Sequence, residues 1–203
     1  MTHLTTEEAI RHRRAVKSFD PAHKMTAEEE AKLFDLAFQS PSSFNIQHWR
    51  IVKVESSEQR AKLKEAAWGQ AQVSDASLLL VVCADTRAWE KDPARYWTTA
   101  PEEARARTAQ AIIDFYKGRA WLARDEALRS VGLIAQTIML AAKDMGYDSC
   151  PMIGCDIEAV GKVVNLPEDY VLGMMIAIGK GIALPRDKGG YLPRSEVLVT
   201  DSF

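Results

Sequence analysis

Several things are scarce in this sequence, and each shortage removes a class of protein. Cysteine occurs three times in 203 residues, as Cys83, Cys150 and Cys155. An odd number without zinc spacing supports neither a disulfide framework nor a metal site, and it fits a cytoplasmic chain with reduced thiols. No run approaches 18 consecutive apolar residues, so no membrane span is expected. The opening Met-Thr-His-Leu-Thr-Thr-Glu-Glu has no basic n-region and no apolar h-region, so no secretory leader is expected. Neither a Gly-x-x-x-x-Gly-Lys-Ser/Thr loop nor a Gly-x-Gly-x-x-Gly fingerprint occurs. Net charge is -2 and only one short run is basic, which argues against a nucleic-acid partner. Repeats and low-complexity linkers are missing too. What remains is a chain of ordinary apolar content, long enough for a substantial core and read as one domain, 1–203.

Two stretches stand out against that background. Pro41-Ser42-Ser43-Phe44-Asn45-Ile46-Gln47-His48-Trp49 separates an amphipathic helix from an apolar strand. Its hydroxyls and amides offer donors and acceptors at short reach, which suits a ligand with hydroxyls and a heteroaromatic edge. A polar surface loop closed by a core tryptophan would read the same way. Upstream, Arg11, Arg13, Arg14 and Lys17 put four cations into seven positions of a mildly acidic chain. Guanidinium forks match phosphate. The alternative is a solvated helix end whose cations complement the helix dipole.

Together the two stretches resemble the nitroreductase family of flavin enzymes. Arg13-Arg14-Ala15-Val16-Lys17-Ser18-Phe19 corresponds to the family's first motif, and the Pro41–Trp49 loop to its second. One departure is visible: His48 stands where the family usually has proline. The resemblance implies a three-layer α/β/α fold of the α+β class with a mixed central sheet, in an intertwined homodimer with FMN at the interface. It also implies that residues about 86–123 form a variable excursion over the partner's site. The tail, about 185–203, becomes a C-terminal extension whose last strand joins the partner's sheet.

The elements can be read in order. Thr5 to Glu8 and Thr26 to Glu29 are capping boxes that open two helices. A strand is expected at about 50–54, a helix at 57–67, and a central strand covered on both faces at Leu78–Ala84. Residues 86–100 read as loop or short helix. Pro101 opens a helix as its first residue. The longest helix runs from Asp125 to Met145 with an apolar stripe that suits either the core or a subunit interface. Tyr147–Asp156 is either a simple connection or, by resemblance, the segment beside the flavin ring. Gly154 would let backbone approach a flat ring. An apolar strand at Val171–Ile178 precedes the tail.

By resemblance, the cofactor-binding residues are Arg13, Arg14, Ala15, Lys17, Pro41, Ser42, Ser43, Asn45, Gln47, Gln72, Pro151, Met152, Ile153 and Gly154, with Lys188 or Arg194 from the tail. Gln72 would read equally as a surface loop residue, and Phe115 and Tyr116, the substrate-contact candidates, as ordinary helix packing. No catalytic side chain is assigned, because the chemistry falls to flavin N5. The implied activity is transfer of a hydride from NAD(P)H through FMN to a small electron-poor acceptor such as a nitroaromatic or quinone. Alternatives are an enone or semialdehyde reductase, a reductive dehalogenase, or a flavin-binding module without turnover.

Overall fold

A computed structural model describes residues 3–203. Both capping boxes form. Thr5 caps α1 (Thr6–His12) and Thr26 caps α2 (Ala27–Ala37), each hydroxyl accepting from the amide three residues on while the glutamate there reaches back. The strands are β1 (Trp49–Lys53), β2 (Leu78–Asp85), β3 (Asp148–Met152) and β4 (Tyr170–Gly179). Between them lie α3 (Ser57–Ala66), the short α4 (Gln72–Asp75), α5 (Glu102–Tyr116), α6 (Ala120–Asp144) and α7 (Ile157–Val163). Residues 86–100 make two 3-10 turns.

Strand order is β1-β2-β4-β3. All neighbours pair antiparallel, so within one chain the parallel component of the expected mixed sheet is reduced to one bridge, Ala15 beside Ser149. Beyond residue 193 one chain forms a short helix, α8 (Arg194–Val197), in place of the expected closing strand, and its residues are exposed.

All eight residues of β2 are buried, which explains the unbroken apolar run. Leu78, Leu80, Val82 and Ala84 face α2 and α6. Leu79, Val81 and Cys83 face the other layer, with Leu63, Val160 and Met175. A third cluster joins Ile46 to Tyr96, Ile112, Tyr116 and Ala123, seating the 86–123 excursion on the 41–48 loop.

α6 starts five residues before the sequence suggests. Gly118, at φ +75°, ends the preceding segment, and no side chain caps the new helix at Arg119. The start therefore leaves no capping signature to read. Pro101 sits just before α5 rather than inside it.

α6 lies close on the sheet because of one glycine. Pairing of β2 with β4 shifts between Val82 and Cys83, leaving Gly173 as an extra residue between Leu172 and Met174. A Cβ there would collide with Val131 of α6 and lie 2.9 Å from the Val82 carbonyl. Gly173→Ala is expected to lower stability by about 1–3 kcal/mol through overpacking. A urea midpoint unchanged by the substitution would contradict this packing.

Candidate functional site

The basic segment runs along the sheet's β3 edge. Val16 donates its amide to the Ser149 carbonyl at 3.0 Å, and Phe19 bridges to Gly181. A cleft of about 510 Å³ opens there. Arg13, Arg14, Ala15, Val16, Lys17 and Ser18 form one wall, and residues 183–188 the other. Five cations (Arg13, Arg14, Lys17, Arg186 and Lys188) meet one carboxylate, Asp187. Arg14 turns back onto the carbonyls of Arg11 and Arg13. Among the described residues, Arg13, Lys17, Arg186 and Lys188 enter no ion pair. Such a wall selects an anion. Of the two tail candidates, Lys188 lines the cleft and Arg194 does not; it opens α8 instead. Arg186 was missed because its neighbours form no recognisable motif.

The same edge carries the flavin-side candidates. Gln72 is buried and opens α4, rather than standing on a surface loop. Its Nε2 donates to Gln70 Oε1 at 2.9 Å, and Gln70 Nε2 donates to the Gly154 carbonyl at 2.9 Å. Met152 is buried, Pro151 half-buried, and Ile153 and Gly154 are exposed. A Cβ on Gly154 would meet the Trp68 ring at 3.5 Å. Burial pushes the Cys150 thiol up, opposed by Lys17 and Gln72. Cys83 is pushed up to about 11, and Cys155 also rises. In all three cases burial disfavours the thiolate.

The 41–48 loop occupies the opposite corner of the sheet. Phe44, Asn45 and Gln47 have φ of 51°, 57° and 52°. Left-handed backbone costs roughly 1–2 kcal/mol for a residue with a Cβ. The surroundings hold it. Trp97 Nε1 donates to the Phe44 carbonyl at 3.0 Å, Arg50 to the Gln47 carbonyl at 2.9 Å, and Gln47 Nε2 to the Asn45 carbonyl at 3.2 Å. Ser42 Oγ accepts from the Gln47 amide at 2.9 Å. Asn45 Nδ2 donates to the Tyr96 carbonyl at 2.8 Å, using one of its two N–H groups. Tyr116, buried in the third cluster, donates its hydroxyl to Ser43 Oγ at 2.9 Å, while Phe115 packs on its ring and stays partly exposed. Both serines accept within the chain and keep their own O–H groups for another partner. Pro41 is exposed beside them.

The register sets the distance between the corners. Ala15 sits beside Ser149, in the row of Ile178 and Leu78, while Trp49 pairs with Ala84. That is six residues along β2 and four strand spacings across, roughly 28 Å on the diagonal. The sequence candidates thus divide into two groups on one chain that cannot close on one compact ligand together.

Comparisons with known proteins give the family and the fold. The model of the Nitroreductase family matches residues 10–180. The chain belongs to the nitroreductase family. It is 54% identical to Protein DrgA of Synechocystis over 177 residues, covering 87% of this chain and 84% of DrgA. It is 28% identical to the oxygen-insensitive NAD(P)H nitroreductase of Salmonella typhimurium, covering 91% and 92%. A crystal structure from Exiguobacterium sibiricum, solved in complex with FMN, superposes with a TM-score of 0.87 at 28% identity over 98% of both chains. In this nitroreductase-family chain no described helix is long and apolar enough to cross a membrane, and the described residues contain no cluster of metal-ligating side chains.

His48, at the loop's end, is buried. Desolvation, with help from Arg50, outweighs the Glu126 and Asp85 carboxylates and holds the imidazole down to about 4 from the ordinary 6.5. Between those values the unfolded chain binds a proton that the folded chain refuses. Stability should therefore fall as pH drops below about 6.5, by roughly 3 kcal/mol when pH 4 is reached. His48→Asn should flatten that part of the curve. Identical pH dependence of the melting temperature in both proteins would contradict it.

Proposed function

We propose that the chain is an NAD(P)H-using, FMN-dependent oxidoreductase that works as a homodimer. The observation that carries the reading is the cleft at the β3 edge, with five cations to one acid. FMN is a phosphate joined to a flat ring, and the donor set fits both parts. Unpaired cations at the cleft mouth match the phosphate. Ile153 and Gly154 offer an apolar, low-relief surface to a ring, with Gln70 and Gln72 as the nearby amides. When bound, FMN accepts a hydride at N5 from NAD(P)H and passes reducing equivalents to an electron-poor acceptor such as a nitroaromatic or quinone.

The chain's own residues do the holding. Arg13 and Lys17 pair with the phosphate, helped by Lys188 or Arg186. Ser42 and Ser43 donate their free hydroxyls to the flavin of the partner subunit, with Pro41, Asn45 and Gln47 shaping the approach. Phe115 shapes the acceptor's entrance, and Tyr116 supports Ser43 from beneath. A second copy supplies the missing half of each site. Exposed Leu36 and Phe38 at the end of α2, Leu133 on α6, and the apolar tail residues Leu192, Val197 and Leu198 supply surface for it.

Arg13→Ala should weaken FMN binding on the order of ten- to a hundredfold, since a bond to a charged group is worth roughly 1.5–3 kcal/mol. Riboflavin, which lacks the phosphate, should bind both proteins equally, and Arg13→Lys should be intermediate because it keeps charge but loses the fork. Titration of the apo-protein measures this. Equal weakening of both ligands would move Arg13 away from the phosphate.

Steady-state kinetics give a second check. One pocket serving donor and acceptor in turn gives parallel double-reciprocal lines. Intersecting lines with a trapped ternary complex would contradict the shared pocket.

A further inference from the structure

The loop's left-handed backbone needs an anchor at both ends, and its C-terminal anchor is unusual. The His48 side chain is 1% exposed. Its Nδ1 lies 3.0 Å from Ser130 Oγ on α6, a serine that is itself fully buried. Its Nε2 has no partner among the described residues. Its carbonyl accepts from the Asp85 amide at 2.8 Å, fixing the backbone to β2. An orphaned ring nitrogen in a dry site is a standing cost. A hydrocarbon of similar size would fill the space without that cost. What the imidazole adds, and a hydrocarbon does not, is the single bond to Ser130.

At the loop's other end Ser40 Oγ lies 2.9 Å from Thr137 Oγ1 of α6, so the His48–Ser130 bond is the matching polar tie at its C-terminal end. On one side is the last residue after three left-handed positions; on the other is the helix that backs the sheet. We infer that His48 is a positioning residue: its bond to Ser130 ties the end of the 43–47 loop to α6 and so keeps Phe44, Asn45 and Gln47 in their left-handed conformation.

Nδ1 can donate to or accept from Ser130, whereas protonation adds an N–H at Nε2 as well. The charged groups facing it are Glu126 on α6, Asp85 on β2 and Arg50 on β1. Asp85 is already engaged by Lys91 at 2.9 Å and lies 3.8 Å from Arg50, so its charge is largely answered elsewhere. A protonated ring would place a cation with an unanswered donor in a buried site, and acid should loosen the loop before the sheet.

Native-state hydrogen exchange tests this without reference to any ligand. The amides of Asn45, Ile46 and Gln47 are bonded within the loop and report on it, while those of β2 report on the sheet. The proteins are wild type, His48→Leu, Ser130→Ala and His48→Asn, the last of which can place an amide near the Nδ1 position. Loop protection should fall about tenfold in His48→Leu and in Ser130→Ala, the equivalent of one hydrogen bond, while β2 changes less. His48→Asn should restore most of it. Between pH 7 and 4, protection corrected for intrinsic exchange should fall in the wild-type loop but not in His48→Asn. Unchanged loop protection in both His48→Leu and Ser130→Ala, an equal fall in loop and sheet, or the same acid response in His48→Asn would each overturn the role.

The consequence for flavin rests on the function proposed above, and it separates cleanly. If the loop loosens and FMN affinity drops with it, both readings stand. If the loop loosens and FMN affinity is unchanged, His48 keeps its positioning role, and it is the loop's contact with flavin that fails.

Discussion

Burial of β2 on both faces is the constraint from which the layout follows. A strand with apolar residues at its first seven positions, Leu78 to Ala84, cannot face water on either side, so helices must cover both. It also needs a neighbour on each edge, and it takes β1 and β4. Once β3 is added beyond β4, the ends of the sheet are fixed. The segment after α1 runs beside β3 at one corner, and the loop before β1 leaves from the diagonal corner. No adjustment of side chains brings these corners together. Under the proposed function, a second copy is called for by backbone pairing rather than by any surface patch.

Each corner is built by a different means. At the β3 edge the device is unpaired charge, since the cations of the cleft have no carboxylates assigned to them among the described residues. At the β1 edge the device is enforced backbone. Three left-handed residues within four positions are uphill in isolation. They persist because Trp97, Arg50, Gln47, Ser42 and Tyr116 each satisfy one group that the turn exposes. Strain of that kind concentrates where a loop must present groups in one arrangement, here the two serine hydroxyls. Arg50 serves both loop and frame, donating to the Gln47 carbonyl and approaching Asp85, which in turn holds Lys91 at the start of the excursion.

Local signals were legible in the sequence. The two capping boxes, the apolar run of β2 and the basic run at 11–17 each have a short-range cause, and each appears where expected. The start of α6 was not legible, because Arg119 caps nothing. The division of the candidates between two corners was also hidden, since it depends on strand order, which periodicity does not encode. Arg186 escaped because cation placement in an extended tail carries no motif. Gln72 looked like a loop residue because the turn of helix it opens is one turn long. His48 looked only like a departure from a motif, and its partner Ser130 lies 82 residues away. Long-range pairs of that sort are set by packing, which composition and spacing do not reveal.

Under the proposed function each flavin site is completed by two chains. Sedimentation velocity at low micromolar concentration, recorded at the flavin's visible band and at the protein band, tests it directly. The account predicts that all bound flavin travels with particles of twice the chain mass, and that dilution into monomers releases it. Flavin that sediments stably with single chains would contradict the claim.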